Sequence, residues 1–284
     1  MSSLKKFLSM IKFEHTIFAL PFAYIGMVMG FSSGFSLRVF LLVSLAMASA
    51  RSAAMALNRI IDRKYDALNE RTKNREIPSG KIKLSQAYIF TAVSIIIFEV
   101  SAYFINDLAF KLSPIALFFV VTYSYTKRFS WLCHLYLGAT DAIAPLGGYV
   151  AAAYSLSTPI WYLAAFVSFW IAGFDILYSL QDVEFDKKHN LHSIPVKFGI
   201  SRALWIARLF HITAFVFLAI SIRGFSLSWV AYVGATLVAV LLVVEHILVN
   251  PNDPKKINIA FFNINSYISL VLLVAFIAGR YCCG

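Results

Sequence analysis

Long uninterrupted apolar runs recur along this chain, separated by short polar breaks. A membrane-spanning helix needs about 20 predominantly apolar residues. Nine runs meet or approach that length, at 13–31, 38–57, 85–105, 108–125, 132–153, 160–178, 203–222, 228–248 and 260–280. The runs are continuous rather than alternating, which argues against a β-barrel. The pattern therefore predicts an all-α membrane protein, a bundle of about nine transmembrane helices forming a single domain over residues 1–284. The longest polar stretches lie at about 59–84 and 179–202, each after an even-numbered run. Both are rich in helix formers, so each is expected to contain a short helix capping the bundle. This repeated scheme of helix followed by polar loop hints at an internal duplication. Pro78-Ser79-Gly80 is a turn signal that closes the first loop, and Asn250-Pro-Asn-Asp-Pro254 marks a third polar turn.

Composition strengthens this picture. The chain has 284 residues, of which 60% are hydrophobic and only 14% charged, against roughly 25% charged in a soluble domain; mean hydropathy is +0.75. The net charge of +11 would fit nucleic acid, but its distribution points to membrane topology instead. With nine spans, one set of ends holds 19 of the 25 Lys and Arg residues, eight of them between Arg59 and Lys83. The opposite ends hold only Arg38, Lys111, Arg223 and Arg280. Basic residues mark cytoplasmic loops, which predicts a cytoplasmic N-terminus, both long polar loops in the cytoplasm and the C-terminus outside, as in a prokaryotic cell membrane. The first run carries Glu14, His15 and Pro21 and no small-residue cleavage site, so it reads as a retained helix rather than a signal peptide. Cys133, Cys282 and Cys283 imply no disulfide framework, and the Cys-Cys-Gly end is not a prenylation box.

Two acidic clusters carry the chemistry. The first is Asn58-Arg-Ile-Ile-Asp62-Arg-Lys-Tyr-Asp66, the second Asp175-Ile-Leu-Tyr178-Ser-Leu-Gln-Asp182-Val-Glu-Phe-Asp186. Residues four apart share a helix face, so Asn58, Asp62 and Asp66 form one oxygen-bearing stripe. Asp175, Asp182 and Asp186 sit at offsets of seven and eleven, close to whole turns, so they form a second stripe with Tyr178 nearby. Hard oxygen ligands suit Mg²⁺, which is held by a few carboxylates together with water and substrate phosphates. The two stripes point to a magnesium-bridged diphosphate; the bland alternative is a pair of solvated loops. Asp175 lies near the end of an apolar run, where carboxylates are rare and functional. Asp141 is also inside a run, in a Gly-rich context that permits close helix approach or leaves room for a flat ring. Arg51 precedes Asn58 on the same helix and needs an anionic partner. His189 and His192 form a pair near Asp186, but no third zinc ligand accompanies them.

With these residues the chain resembles the UbiA superfamily of intramembrane aromatic prenyltransferases over nearly its whole length. The resemblance rests on the Asn58–Asp66 box, the following Arg71-Thr-Lys-Asn-Arg75-Glu-Ile-Pro78-Ser79-Gly80, the Tyr125-Thr-Lys127-Arg128 step and the Asp175–Asp186 box. The start, Lys12-Phe-Glu-His15-Thr-Ile-Phe-Ala-Leu-Pro21-Phe, is similar to 4-hydroxybenzoate polyprenyltransferase-like members. The resemblance implies nine transmembrane helices around a central cavity with cytoplasmic cap loops. It implies that Asn58, Asp62, Asp66, Asp182 and Asp186 hold Mg²⁺ and diphosphate, with Arg63, Lys127, Arg128 and Lys188 as diphosphate or acid contacts. Asp175, Tyr178 and Arg51 match positions near the aromatic acceptor and the diphosphate. Where the hydroxybenzoate enzymes have Lys-Ser after the second box, this chain has His192-Ser193, and Leu191-His-Ser-Ile-Pro195 looks more like a branch that includes menaquinone-pathway enzymes.

The implied reaction is electrophilic aromatic substitution. Magnesium and basic side chains stabilise departing diphosphate, and the ring attacks the allylic carbon beside a hydroxyl that Asp175 polarises or deprotonates. Water must be kept away from the electrophile. The partners are an isoprenoid diphosphate, an aromatic small molecule and membrane lipid, with no nucleic acid and no protein partner inferred. The expected acceptor is 4-hydroxybenzoate or a related quinone precursor; naphthoate, haem and archaeal lipid prenyl transfer are alternatives. Intramembrane charges in a duplicated helical chain also suit a cation or anion transporter, although the Asp stripes lie toward one membrane face rather than the midplane.

Overall fold

The computed structural model describes residues 3–12, 16–32, 34–251 and 253–282. In chain order its helices are α1 (Ser3–Met10), α2 (Thr16–Gly30), α3 (Leu37–Leu68), α4 (Leu84–Ile105), α5 (Asp107–Thr126), α6 (Cys133–Asp141), α7 (Ile143–Ala153), α8 (Thr158–Ser179), α9 (Val183–Lys188), α10 (Ile194–Phe198), α11 (Ile200–Gly224), α12 (Trp229–Leu248), α13 (Pro254–Ile259) and α14 (Asn265–Tyr281). No strand occurs among the described residues. Among the described residues seven helices are long and apolar enough to cross a membrane, and Ala19–Gly30 is a shorter apolar helix. Large side chains such as Ile96, Leu237 and Val274 face outward, as lipid contact requires. Phe13, Glu14, His15, Cys283 and Gly284 lie outside the described residues.

Two helices differ in form from the apolar pattern. The run at 132–153 is divided into α6 and α7 after Asp141. Pro145 sits three residues into α7; it has no N–H to offer the Asp141 carbonyl, and its ring would clash with that carbonyl in a continuous helix. The last run is widened by a π-helical turn at Ala260–Ile264, between α13 and α14. Such a turn loosens the backbone ladder, and the Asn265 side chain covers the gap by donating to the Ala260 and Phe261 carbonyls at 3.3 and 3.2 Å.

The chain divides into two compact units, Met1–Thr16 with Leu37–Tyr125 and Ile17–Ser36 with Thr126–Gly284. In the first, α3 packs along α4, and Met10, Ile11, Ala56, Ile60, Ile82 and Ala87 form its core. Phe7 of α1 stacks on Phe90. In the second, α8 is the most buried of the spanning helices and packs against α6, α7 and α11. Trp170, Phe166 and Phe22 lie at its centre. A polar network threads this core: Trp170 donates to Asn265 at 2.9 Å, and Asn265 donates to Glu245 at 2.7 Å. Backbones approach closely at α2 and α7, where a Cβ on Gly26 would lie 2.0 Å from the Pro145 carbonyl oxygen.

Candidate functional site

In the first unit the carboxylates are carried by one helix. α3 does not stop where its apolar stretch ends; it continues as 32 residues through the whole Asn58–Asp66 box. The four-residue spacing therefore acts as expected, and Asn58 donates through Nδ2 to Asp62 Oδ2 at 2.9 Å. The same amide reaches Ser124 Oγ on α5 at 3.3 Å, while its Oδ1 accepts from Arg59 at 3.2 Å. Tyr123 ties α5 to α3 through the Ala54 carbonyl, 3.0 Å away. Asp66 is buried and holds Arg75 at 2.6 Å through Oδ1. Its Oδ2 is buried with no hydrogen-bond partner. Arg63 donates to the Ile60 carbonyl at 2.8 Å. Arg51 lies half-buried two turns before Asn58. After α3 the chain turns back; Gly80, at φ +72°, donates to the Ile77 carbonyl at 3.0 Å, so Pro78-Ser79-Gly80 forms the predicted turn, with glycine in the left-handed region.

The second box is not one continuous helix. α8 ends at Ser179, Leu180–Asp182 form a 3₁₀ turn, and α9 begins at Val183. The tighter turn alters the rotation per residue, so offsets of seven and eleven no longer measure whole α-helical turns from Asp175. Asp182 and Asp186 are both buried at the start of α9 and one turn along it. Lys127, just beyond α5, pairs with Asp186 at 2.8 Å. Burial works against the Lys127 ammonium, but Asp186 and Asp182 together outweigh it and hold it above the ordinary lysine value. Arg128 is half-buried in the same turn and Lys188 is exposed at the end of α9. The polar loop thus contains two short helices, α9 and α10.

Asp175 has a partner that sequence reasoning missed. Its Oδ2 lies 2.6 Å from Nδ1 of His134, which is buried in the first turn of α6. The available signal was a histidine inside an apolar run, a feature of the same kind that singled out Asp175. The Tyr178 ring packs on Phe261, with centroids 4.1 Å apart. His189 stacks on Phe185 and His192 is exposed. Asp141 is half-buried at the end of α6.

No group of three or more His, Cys, Asp or Glu side chains among the described residues closes around an ion by itself. Mg²⁺ does not require one, since it is bound through one or two carboxylates with waters and substrate phosphates. The hard-oxygen donor set fits it, as does the buried, unsatisfied Asp66 Oδ2.

Residues 19–267 match the UbiA prenyltransferase family. A 4-hydroxybenzoate octaprenyltransferase from Vesicomyosocius okutanii is 28% identical over 247 residues, covering 87% of this chain and 90% of that protein. The structure of a UbiA homologue from Aeropyrum pernix K1 superposes with a TM-score of 0.85 at 33% identity, covering 93% of this chain and 98% of that one. A UbiA homologue from Archaeoglobus fulgidus, bound to GPP and Mg²⁺, shares the fold with a TM-score of 0.75 at 21% identity, covering 97% and 99% of the two chains.

Proposed function

Because the chain belongs to the UbiA prenyltransferase family, and is therefore an integral membrane transferase, we propose that it moves a polyprenyl group from an allylic isoprenoid diphosphate to an aromatic acceptor in quinone biosynthesis, with 4-hydroxybenzoate or a related precursor as that acceptor. The observation that carries this reading is the pairing of the carboxylates in the second unit. Two buried carboxylates, Asp182 and Asp186, face the Lys127 ammonium, whereas Asp175 is partly exposed and paired with a histidine. The relatives that are 4-hydroxybenzoate octaprenyltransferases support the acceptor class. Family membership also removes the transporter alternative.

In this reading Asn58, Asp62, Asp66, Asp182 and Asp186 hold Mg²⁺, and Arg51, Arg63, Lys127, Arg128 and Lys188 contact the diphosphate. Bound Mg²⁺ would neutralise charge on the departing diphosphate. Asp175 accepts a hydrogen bond from the acceptor hydroxyl or takes its proton, which raises electron density on the ring. A bond forms between a ring carbon and the allylic carbon, the allylic carbon–oxygen bond breaks with its electrons going to diphosphate, and the ring proton is lost. Tyr178, packed on Phe261, presents an aromatic surface against which the acceptor ring lies. The test is mass spectrometry of purified protein incubated with geranyl diphosphate, Mg²⁺ and a panel of hydroxybenzoates and naphthoates. A prenylated ring product is expected, and donor hydrolysis with no ring product from any acceptor would reject the aromatic reading.

We further propose nine membrane crossings in a single prenyltransferase domain: the seven long helices, α2, and α6 with α7 as one broken span. The basic-residue bias orients the loops at 59–84 and 179–202 toward the cytoplasm. A cysteine placed at exposed Ser79, with Cys282 and Cys283 replaced by serine, should label from the cytoplasmic side; labelling from outside alone would reverse the orientation.

A further inference from the structure

His134 has its two ring nitrogens committed to different tasks. Nε2 lies 3.3 Å from the backbone nitrogen of Ile194. That amide can only donate, so Nε2 must present a lone pair. The ring proton then sits on Nδ1, which donates to Asp175 Oδ2 at 2.6 Å. The histidine side chain is 2% exposed and the aspartate side chain 24%, so the imidazole is sealed in protein while the aspartate is partly exposed.

The surroundings fix the ring from behind. The segment that supplies the Ile194 amide is pinned at two other points, to Lys127 after α5 and to the first residue of α6. His192 N donates to the Lys127 carbonyl at 2.7 Å, and Cys133 Sγ donates to the His192 carbonyl at 3.5 Å. Ser193 caps α10 by accepting from Val196 N at 3.4 Å. The ring of His134 therefore cannot rotate without losing both the Ile194 amide and Asp175.

We propose that His134 is a positioning residue for the aromatic acceptor: as a neutral Nδ1–H tautomer it locks the Asp175 carboxylate through Oδ2 and leaves Oδ1 to engage the acceptor. A donor on one carboxylate oxygen removes rotamer freedom that would otherwise be lost on substrate binding. Because Nε2 is occupied by a backbone amide, His134 is not a proton relay; a proton taken by Asp175 leaves by another route. The inference rests on the reading of Asp175 as the acceptor-side carboxylate.

The test compares His134→Leu, His134→Asn, Asp175→Ala and the double variant His134→Leu/Asp175→Ala. The assays are acceptor and donor KM, kcat, and Mg²⁺-dependent hydrolysis of geranyl diphosphate without acceptor. His134→Leu should lower kcat/KM for the acceptor by roughly 10- to 100-fold, the scale for losing a hydrogen bond to a charged group, with donor KM and hydrolysis unchanged. His134→Asn, whose Nδ2 replaces the Nδ1 donor, should recover most of that loss. In the Asp175→Ala background His134→Leu should add no more than about a twofold effect, because the two act as one unit. Multiplying losses, or a matching collapse of donor KM, would overturn the proposal. If Asp175→Ala cripples acceptor use while His134→Leu does not, the positioning role alone fails. If Asp175→Ala leaves acceptor use intact, the acceptor assignment fails first and takes this inference with it. A measurement independent of activity is ¹⁵N-histidine NMR of the intact wild-type protein, with the resonance identified by its loss in His134→Asn. A neutral Nδ1–H ring is expected, and an imidazolium or an Nε2–H ring would overturn the proposal even where the leucine variant does not fold.

Discussion

Asp62→Ala and Asp182→Ala should each lower prenyl transfer by on the order of 100-fold or more, the cost of deleting one electrostatic contact placed where charge develops. These two positions are the cleanest probes. Asp66→Ala would also strand Arg75, which its carboxylate holds at 2.6 Å, and Asp186→Ala would leave Lys127 without its 2.8 Å partner. Breaking a buried pair costs several kcal/mol by itself, so activity lost in those variants would mix chemistry with folding. Asp62 is only half-buried and accepts from the neutral Asn58 amide at 2.9 Å. Asp182 ends a 3₁₀ turn, and its side chain does not cap the helix that follows. Melting curves in detergent separate folding from chemistry: variants that remain folded should still fail at every Mg²⁺ concentration or require far more of it. Thorough chelation of wild type should abolish product, and added Mg²⁺ should restore it. Activity that survives chelation, or an Asp182→Ala enzyme with wild-type rate and Mg²⁺ dependence, would remove the metal–diphosphate assignment.

The parts of this architecture that sequence reveals are those governed by local periodicity. The Asn58–Asp66 stripe was legible because one helix carries all of it, and i to i+4 spacing is a property of the helix itself. Helix breaks were harder to see. Pro145 marks the division at Asp141, but an apolar run continues across it, and apolarity reports lipid rather than backbone geometry. The 3₁₀ turn at Leu180–Asp182 has no proline or glycine to announce it, and it changed the register of the second box. The His134–Asp175 pair was invisible for another reason. Its members are 41 residues apart, and which side chains meet across α6 and α8 is decided by tertiary packing. The same holds for Ser124 beside Asn58, 66 residues away. What sequence offers are residue types unusual for their surroundings; what it lacks are their partners.

Adjacent glycines in α7 should respond in opposite ways to the smallest possible substitution. A Cβ built on Gly148 would stand 1.9 Å from the carbonyl oxygen of Ala23 in α2, whereas one built on Gly147 meets nothing within 4 Å. Alanine is the better helix former by about 1 kcal/mol, so intrinsic propensity favours both changes. At Gly147, which faces outward, nothing opposes that gain, and Gly147→Ala should be neutral or slightly stabilising. At Gly148 the obstacle is backbone, which cannot swing aside as a flexible side chain does. Because real Cβ contacts stay beyond 3.0 Å, α2 and α7 would have to separate by more than an ångström. Close approach of small residues drives helix association in lipid, where no hydrophobic effect operates between helices. The Gly26–Pro145 contact of the same helix pair, with 2.0 Å to a hypothetical Cβ, would open with it. Gly148→Ala should therefore cost more than about 3 kcal/mol, beyond the usual range for overpacking. It should appear as a large drop in melting temperature or in yield of monodisperse protein from detergent. Equal thermal stability of the two alanine variants would show that α2 and α7 do not meet through Gly148 in the folded enzyme.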